Sequence, residues 1–404
     1  MSLAFSSAIR PDVPANLLTL LPPDARRDAV AWLHEGAGFV GWGEAARHDP
    51  GTGAGRFASA AAAVADLLDS TDPHAVAVAS FTFDADAAGS FVRVPAVLVR
   101  NGARGVTVTA ASPADAATLA LPVHRLPERA TVDRVRFAGA SVPDLLWLDA
   151  VAAATRLIDK DELRKVVLAR DHAVWSKAPF DARVLAARLA ARFPGCFTFV
   201  AEELVGASPE LLVRRRGDTV ESLVLAGSAA RGDDDAQDRE RGEGLLASAK
   251  DRDEHAYAVA SVRDVLAPRC IELDVDAEPH LLRLANVQHL ATRVRGTLAP
   301  PLPTALELAG ALHPTAAVGG TPTDAALAVI AALEGMERGR YTGPVGWVNA
   351  AGDGEFAIAL RCAELSGARA RLFAGSGIVA ASLPEAELEE TRIKLRAMQS
   401  AFED

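Results

Sequence analysis

Along most of this chain, apolar positions recur with strand or helix spacing, and the strand-like runs sit next to one another instead of alternating with helices. The runs 75–83 (AVAVASFTF), 90–100 (SFVRVPAVLVR) and 105–110 (GVTVTA) predict strands, the first two joined by the turn DADAAG. Before them, residues 15–35 carry helical spacing (Leu17, Leu18, Leu21, then Ala29, Trp32, Leu33), followed by a glycine-dense strand, GAGFVGWGEAARH. An Ala-rich helix is predicted over 57–68. From Pro113 to Pro143 periodicity fades in a Pro- and Ala-rich stretch, which marks a half-boundary between residues 1–143 and 144–404 within one compact unit.

The second part reads as an amphipathic helix (144–164) feeding the strand KVVLARDHAVW, then a helix over 180–193. CFTFVAEELVGASPELLVRRRGDTVES predicts strand, turn, strand, strand. LVLAGSAARG (223–232) is a strand that runs into DDDAQDRERGE, expected as a solvated loop, and a helix over 245–268 follows. VQHLATRVRG is strand-like, and helices are expected over 304–312 and 323–335. Near the end, PVGWV and FAIALRCAEL flank Ala-Ala-Gly-Asp-Gly as an antiparallel hairpin. The run RLFAGSGIVA follows, with a Gly-Ser-Gly turn (Gly375, Ser376, Gly377), and stops at Pro384. A last helix is expected to start near Ser382, with the capping pattern Ser382 to Glu385. Hairpins without strand–helix–strand units predict an α+β fold with antiparallel sheets.

Composition narrows the classes. The chain has 404 residues, half of them apolar, and a net charge of −11 without a dense Lys/Arg tract, which argues against nucleic acid as a partner. Cys196, Cys270 and Cys362 lack the spacing of a zinc site or a disulfide framework. No apolar run approaches the roughly 20 residues that span a bilayer. The N-terminus MSLAFSSAIRPDVP has no signal-type apolar core, so the expectation is a soluble, cytoplasmic protein.

Candidate chemistry lies in charged residues at helical spacing. On the last helix Glu387, Glu390 and Lys394 share one face at i, i+3 and i+7. Alone, this reads best as a solvated charged face. Asp251 and Glu254 form a second acid pair of the same spacing. If the two helices face each other, four carboxylates converge, and an oxygen-only set with water in reserve suits Mg²⁺. Lys165, at the start of its strand, is a candidate base; lysine ordinarily ionises near 10.4, so that role needs burial or a cationic neighbour. A surface lysine is the plain alternative. Glu210, an acid inside the apolar segment Ala-Ser-Pro-Glu-Leu-Leu, is either structurally paired or a general acid. His289 in a strand-like run is by itself a core histidine. The glycines of VGWGEAAR lack phosphate-loop spacing.

Taken together, KVVLAR (165–170), SPELLVR (208–214), LAGSAARG (225–232), KDRDEH (250–255), VQHLATRVRG (287–296), LHPTAAVGGTP (312–322), GRYTGPVGW (339–347), the Arg361 strand, AGSGIV (374–379) and PEAELEETRIKL (384–395) resemble one family, in its order. These are the chorismate-utilising enzymes with the anthranilate synthase component I fold, and among them the isochorismate synthases. VGWGEAAR and SFTFD resemble the N-terminal part of the menaquinone type. The resemblance implies two packed antiparallel β-sheets surrounded by helices, as a single large unit, and Mg²⁺ as cofactor with chorismate as substrate. It implies that Lys165 activates water and Glu210 protonates the leaving C4 hydroxyl. Glu254 and Glu390 would bind Mg²⁺ directly, while Asp251 and Glu387 hold metal-bound waters; relatives often have Glu at the position of Asp251. Arg361 and Tyr341 would hold the enolpyruvyl carboxylate, aided by N–H groups of the Gly375-Ser376-Gly377 segment, with Lys394 near the metal-bound carboxylate and His289 positioning the ring.

Three positions separate the subfamilies. Anthranilate synthases, which use ammonia, carry Gln where Lys165 stands. Aminodeoxychorismate synthases often carry a nucleophilic Lys in a PIKGT motif, where this chain has Leu225-Ala226-Gly227-Ser228. Enzymes that eliminate pyruvate tend to have Thr at the place of Ala317. Gly227, Ser228 and Ala317 are therefore expected at the substrate, with water as nucleophile and isochorismate as end product, for either a menaquinone or a siderophore route. The rivals are a salicylate synthase, a non-catalytic binding subunit, and an aminating subunit coupled to a glutaminase. The leading expectation is a monomer without a glutaminase partner.

Overall fold

A computed structural model of the chain describes residues 2–23, 28–68, 72–102, 105–126 and 135–403. Strands such as Phe197–Ala201 (FTFVA) are buried on both faces, which requires an apolar layer on each side of the sheet. Among the described residues the strands form two antiparallel sheets, one of twelve strands and one of ten. Their inner faces pack together: Trp32, Phe39, Phe199 and Phe373 of the larger sheet meet Val78, Phe91, Val345 and Ala357 of the smaller. Helices cover the outer faces. Ala182–Arg192 and Pro384–Glu403 lie on the larger sheet, and Arg56–Leu67, Ala249–Leu266 and Ala305–Leu312 on the smaller. Asp144–Asp159 and Thr323–Leu333 pack against the strand Lys165–Trp175. This is the α+β architecture expected from the hairpin pattern.

Both sides of the expected division at residue 143 supply strands to both sheets. Val30–His34 pairs with Phe197–Ala201 in the larger, and Val76–Ser80 pairs with Pro344–Asn349 in the smaller. Residues 127–134 of the expected boundary lie outside the described residues.

Two segments pass from one sheet into the other side by side, and they place the site. Leu204–Ser208 of the larger sheet continues through Pro209 and Glu210 into Leu211–Arg216 of the smaller. Gly354–Ile358 of the smaller continues through Ala359, Leu360 and Arg361 into Cys362–Ser366 of the larger. The crossings are stitched together: Ile358 N–H donates to the Glu210 carbonyl at 3.2 Å, Ala207 N–H to the Arg361 carbonyl at 3.1 Å, and Ser208 Oγ to the Ile358 carbonyl at 2.6 Å. Arg361 turns the second crossing with a φ of 48°, a conformation that side-chain-bearing residues seldom adopt.

Several local expectations are corrected. FAIALRCAEL is two strands in different sheets, because alternation runs unbroken through a crossing buried on all sides. The Gly-Ser-Gly segment is no turn: it lies inside the strand Arg369–Ile378, paired with Lys165–Trp175. Residues 15–35 form a short 3₁₀ turn, Leu17–Leu20, and then the strand Val30–His34, where Trp32 faces the inner layer and Ala31 the outer; the stretch 24–27 lies outside the described residues. DDDAQDRERGE is mostly helix, Asp235–Ala247, because the Asp234 carboxylate caps the N–H groups of Ala236 and Gln237. The last helix starts at Pro384, and Ser382 Oγ instead accepts the Val379 N–H at the strand end.

Candidate active site

The paired crossings open a small cavity between the ends of the sheets and the helices Ala249–Leu266 and Pro384–Glu403. Of the residues singled out from sequence, Glu210, Gly227, Ser228, Glu254, His289, Ala317, Tyr341, Arg361, Gly375, Gly377 and Lys394 line it. Lys165, Asp251, Ser376, Glu387 and Glu390 do not, and stand directly behind its wall. Lys165 Nζ lies 3.1 Å from Glu254 Oε1. Asp251 packs behind Gly227, whose Cβ, if present, would meet the Asp251 Cβ at 3.1 Å. Ser376 gives its hydroxyl to Glu387 at 2.5 Å, so its role here is to hold an acid. Glu390 pairs with the wall residue Lys394 at 2.5 Å.

The helices deliver their acids by burying them. Glu254 lies on the stripe Glu254, Ala258, Val262, Leu266, and Glu387 on the stripe Glu387, Thr391, Leu395, Met398, so neither is the solvated face that spacing alone favours. Lysines partly balance the charge. Besides the pairs of Lys165 and Lys394, Lys250 reaches Glu387 at 2.5 Å. Burial raises the pKa of Asp251, and the charges of Glu254 and Glu390 add to the rise. Burial likewise raises Glu387, with the charge of Glu390 adding to it. Glu390, paired with Lys394, is lowered and keeps its charge, and that charge reaches both raised acids.

The Gly375 and Gly377 N–H groups face the cavity edge of their strand. Opposite them stand Ala169 and Val167. Val167 gives its N–H to Gly319 and its carbonyl to Arg338, and Ala169 gives its N–H to Glu334 and its carbonyl to the Trp147 indole. These are therefore non-hydrogen-bonded pairs, and the glycines' own N–H and C=O groups point off the opposite edge. That edge is open, since Cys362–Ser366 pairs only as far as Leu372, and Lys394 Nζ donates to the Gly375 carbonyl there at 3.0 Å. The expected backbone donors are thus supplied by an unpaired strand edge. Glycine is required at 377 because a Cβ there would collide with the Glu254 carboxylate.

The Arg361 guanidinium can only donate, so its contact with His289 Nε2 at 3.2 Å makes that nitrogen an acceptor. The ring proton then sits on Nδ1, facing Ser228 Oγ at 3.0 Å and the Gly227 carbonyl at 3.3 Å. Burial beside that guanidinium holds His289 well below its ordinary pKa, so the ring is neutral. Ser228 is placed by a bulge where Gly227, at φ 76°, is passed over in the pairing with Val287–Leu298. The histidine of the KDRDEH motif, His255, is instead a satisfied core residue, bonded to the Ala226 carbonyl and to Thr292.

Glu210 is 4 % exposed, and burial pushes its pKa up to about 7, against the opposing effects of the Leu225 N–H and the Lys165 charge. A carboxylic acid that keeps its proton near neutrality can serve as a general acid. Lys165 is fully buried, which removes the surface-lysine reading. One cationic donor of the wall, Arg361 Nε, is buried without a hydrogen-bond acceptor in the protein. Such a group is costly unless a ligand meets it. Sequence reasoning missed Lys250 and the wall residues Val167, Pro209, Val318, Thr342 and Leu360. Lys250 opens the KDRDEH motif, four positions before Glu254, and that spacing is its signal; the wall residues are apolar or small and carry none.

A buried acid, a buried lysine, a crowded carboxylate set and open backbone donors, in a cavity between two antiparallel sheets, define an α+β enzyme for a small anionic molecule. The chain belongs to the chorismate binding enzymes, whose family model matches residues 34–403. The match thus reaches well into the N-terminal third. Among curated relatives, the chain is 44% identical over 251 residues to isochorismate synthase DhbC of Bacillus subtilis, an alignment covering 59% of this chain and 63% of that protein. Among solved structures it is similar to MenF, the menaquinone-specific isochorismate synthase of Escherichia coli, with a TM-score of 0.85, 26% identity and coverage of 99% of this chain and 95% of that one. Anthranilate synthase component I of Streptococcus pneumoniae shares the fold at a TM-score of 0.70 and 20% identity, covering 98% of this chain and 92% of that one. No helix among the described residues is long and apolar enough to cross a membrane.

The raised Glu210 predicts a pH-linked stability difference. The unfolded chain releases this proton near 4.5 and the native state near 7, so native stability falls as pH rises through that window, by on the order of 3 kcal/mol. Glu210→Gln removes the loss. Urea unfolding of both proteins across the window should show the mutant gaining on wild type and then levelling; a difference independent of pH would contradict the assignment.

Proposed function

We propose that this chain is an isochorismate synthase, which adds water at C2 of chorismate and expels the C4 hydroxyl. The observation that carries the reading is a Glu210 acid on the cavity wall, held protonated up to about pH 7, with the fully buried Lys165 standing directly behind the wall beside the lining residue Glu254. Lys165 accepts a proton from water as its oxygen bonds to C2, the ring double bonds shift, and the C4–O bond breaks as Glu210 protonates the departing hydroxyl. Arg361 Nε and the open N–H groups of Gly375 and Gly377 bind the enolpyruvyl carboxylate, beside Tyr341, whose ring stacks on Phe373 at 4.9 Å. Neutral His289 orients Ser228 toward the ring. The wall at Ala317 carries no hydroxyl, which supports release of isochorismate without pyruvate loss. Similarity to isochorismate synthases, not to ammonia-using enzymes alone, supports water as nucleophile.

The acid set fits a hard divalent cation, Mg²⁺, in its chemistry: carboxylate oxygens only, close enough that the charge of Glu390 raises both Asp251 and Glu387, with the ammoniums of Lys250 and Lys394 supplying compensating charge. Among the described residues no three of these side chains close on one coordination point. Glu254 and Glu390 would hold the ion directly, and Asp251 and Glu387 its waters. When bound, it would neutralise and orient the ring carboxylate. The reading extends to a cytoplasmic monomer that needs no glutaminase subunit, because a lysine-activated water replaces ammonia.

Purified protein with chorismate and Mg²⁺, and no ammonia, should yield isochorismate by chromatography without pyruvate in a coupled assay. Lys165→Ala should fold normally and lose this turnover. Salicylate with stoichiometric pyruvate would move the chain to the lyase branch, and turnover only with added ammonia would remove the water-activating role. For the metal, calorimetric titration of Mg²⁺ should show binding to wild type and its loss in Glu390→Ala; equal affinity in both would rule out Glu390 as a ligand.

A further inference from the structure

The strand Lys165–Trp175 has a gap along one edge, between Gly320–Thr321, which pairs only with Lys165 and Val166, and Arg136–Gly139, which pairs only from Ala173 onward. Within that gap, buried edge groups without partners would each cost about 1–3 kcal/mol. Side chains take the place of the missing strand. Arg338 Nη2 donates to the Val167 carbonyl at 2.8 Å, and the Ala169 N–H donates to Glu334 Oε2 at 2.8 Å. Arg338 and Glu334 are 4 % and 2 % exposed, and form a two-pronged ion pair with contacts of 2.7 and 2.6 Å. The guanidinium also stacks over the Phe83 ring, 4.1 Å from its centre.

The remaining nitrogen, Nη1, donates to the Val318 carbonyl at 2.8 Å and to Thr342 Oγ1 at 3.3 Å. Val167, Val318 and Thr342 all line the cavity, whereas Glu334 and Arg338 do not. One guanidinium therefore ties together three wall segments remote in sequence: the strand that starts at Lys165, the loop that carries Ala317, and the turn that carries Tyr341. Thr342 sits at a φ of 63°, unfavourable for a β-branched residue, and such a conformation persists only where its surroundings over-determine it. A planar fork can serve these acceptors at once; a lysine ammonium cannot hold the same geometry.

We infer that Glu334 and Arg338 are a positioning pair, which fixes Lys165, Ala317 and Tyr341 relative to one another without touching the substrate. The inference takes its kinetic readout from the isochorismate synthase reading, and its structural readout is independent of it. In Arg338→Lys, kcat should fall on the order of 100-fold while KM moves less than about threefold, because orientation is lost and contacts are kept. In the same protein without ligand, hydrogen–deuterium exchange should speed up in segments 166–170, 315–320 and 340–343 and stay unchanged elsewhere.

Wild-type kcat with wild-type exchange in Arg338→Lys would overturn the inference. So would a kcat loss accompanied by faster exchange throughout the molecule, which marks general destabilisation. Should Arg338→Lys fail to fold, Glu334→Gln serves instead, since its amide oxygen still accepts from Ala169 while the charge pair is gone; the same local exchange pattern is expected and its absence is decisive. If wild type does not turn over chorismate, the functional reading falls, and the exchange pattern alone decides the positioning role.

Discussion

Everything at this site depends on two chain segments having to leave one sheet and enter the other at the same place. Each crossing exposes backbone groups that the strand ladders no longer serve, and the two satisfy one another through Glu210, Arg361, Ala207 and Ile358. Because the crossings are side by side, an acid and a guanidinium enter the same buried space from opposite sheets. The cavity is therefore a consequence of how the sheets share strands, and the residues that turn the chain also face the ligand. The positive φ angles of Arg361 and Thr342 belong to the same constraint, strain concentrated where the wall is built.

The second constraint is charge. Three lysines and five carboxylates are gathered within and just behind one wall, in a region where an uncompensated ion costs several kcal/mol. Lys165, Lys250 and Lys394 each hold a different acid, Glu254, Glu387 and Glu390. Among the described residues Asp251 and Glu210 have no lysine pair and burial raises both, Glu210 keeping its proton up to about 7. Two ways of tolerating buried acid thus coexist, ion pairing for Glu254, Glu387 and Glu390 and protonation for Glu210. They separate a charge-binding half of the cavity from a proton-donating half.

Much of this was legible in the sequence. The hairpin pattern foretold antiparallel sheets, and the i, i+3 spacing marked two acid pairs on distant helices whose charges act on one another, although no three of the side chains close on one point among the described residues. What was hidden follows from specific causes. Alternation in FAIALRCAEL is the same on both sides of a crossing, since both sheets demand buried residues there, so the break at Arg361 leaves no mark. Gly-Ser-Gly signals a turn by composition, yet here the glycines admit Glu254 and free an edge of a straight strand. Asp234 through Asp238 carry no apolar stripe, and only their capping geometry makes them helical. The pair of Glu334 and Arg338 replaces a strand that ends too soon, a need that exists only in three dimensions.

The central claim is that the new hydroxyl comes from a water molecule made nucleophilic at Lys165, while the old one leaves under Glu210. Turnover of chorismate in water enriched in oxygen-18, followed by mass spectrometry of the product, tests this most directly. Isochorismate carrying one heavy oxygen at C2, with none gained by unreacted chorismate, is the predicted result. Isochorismate without label would mean that the hydroxyl migrates within the substrate, and the acid and base roles derived for this cavity would be wrong.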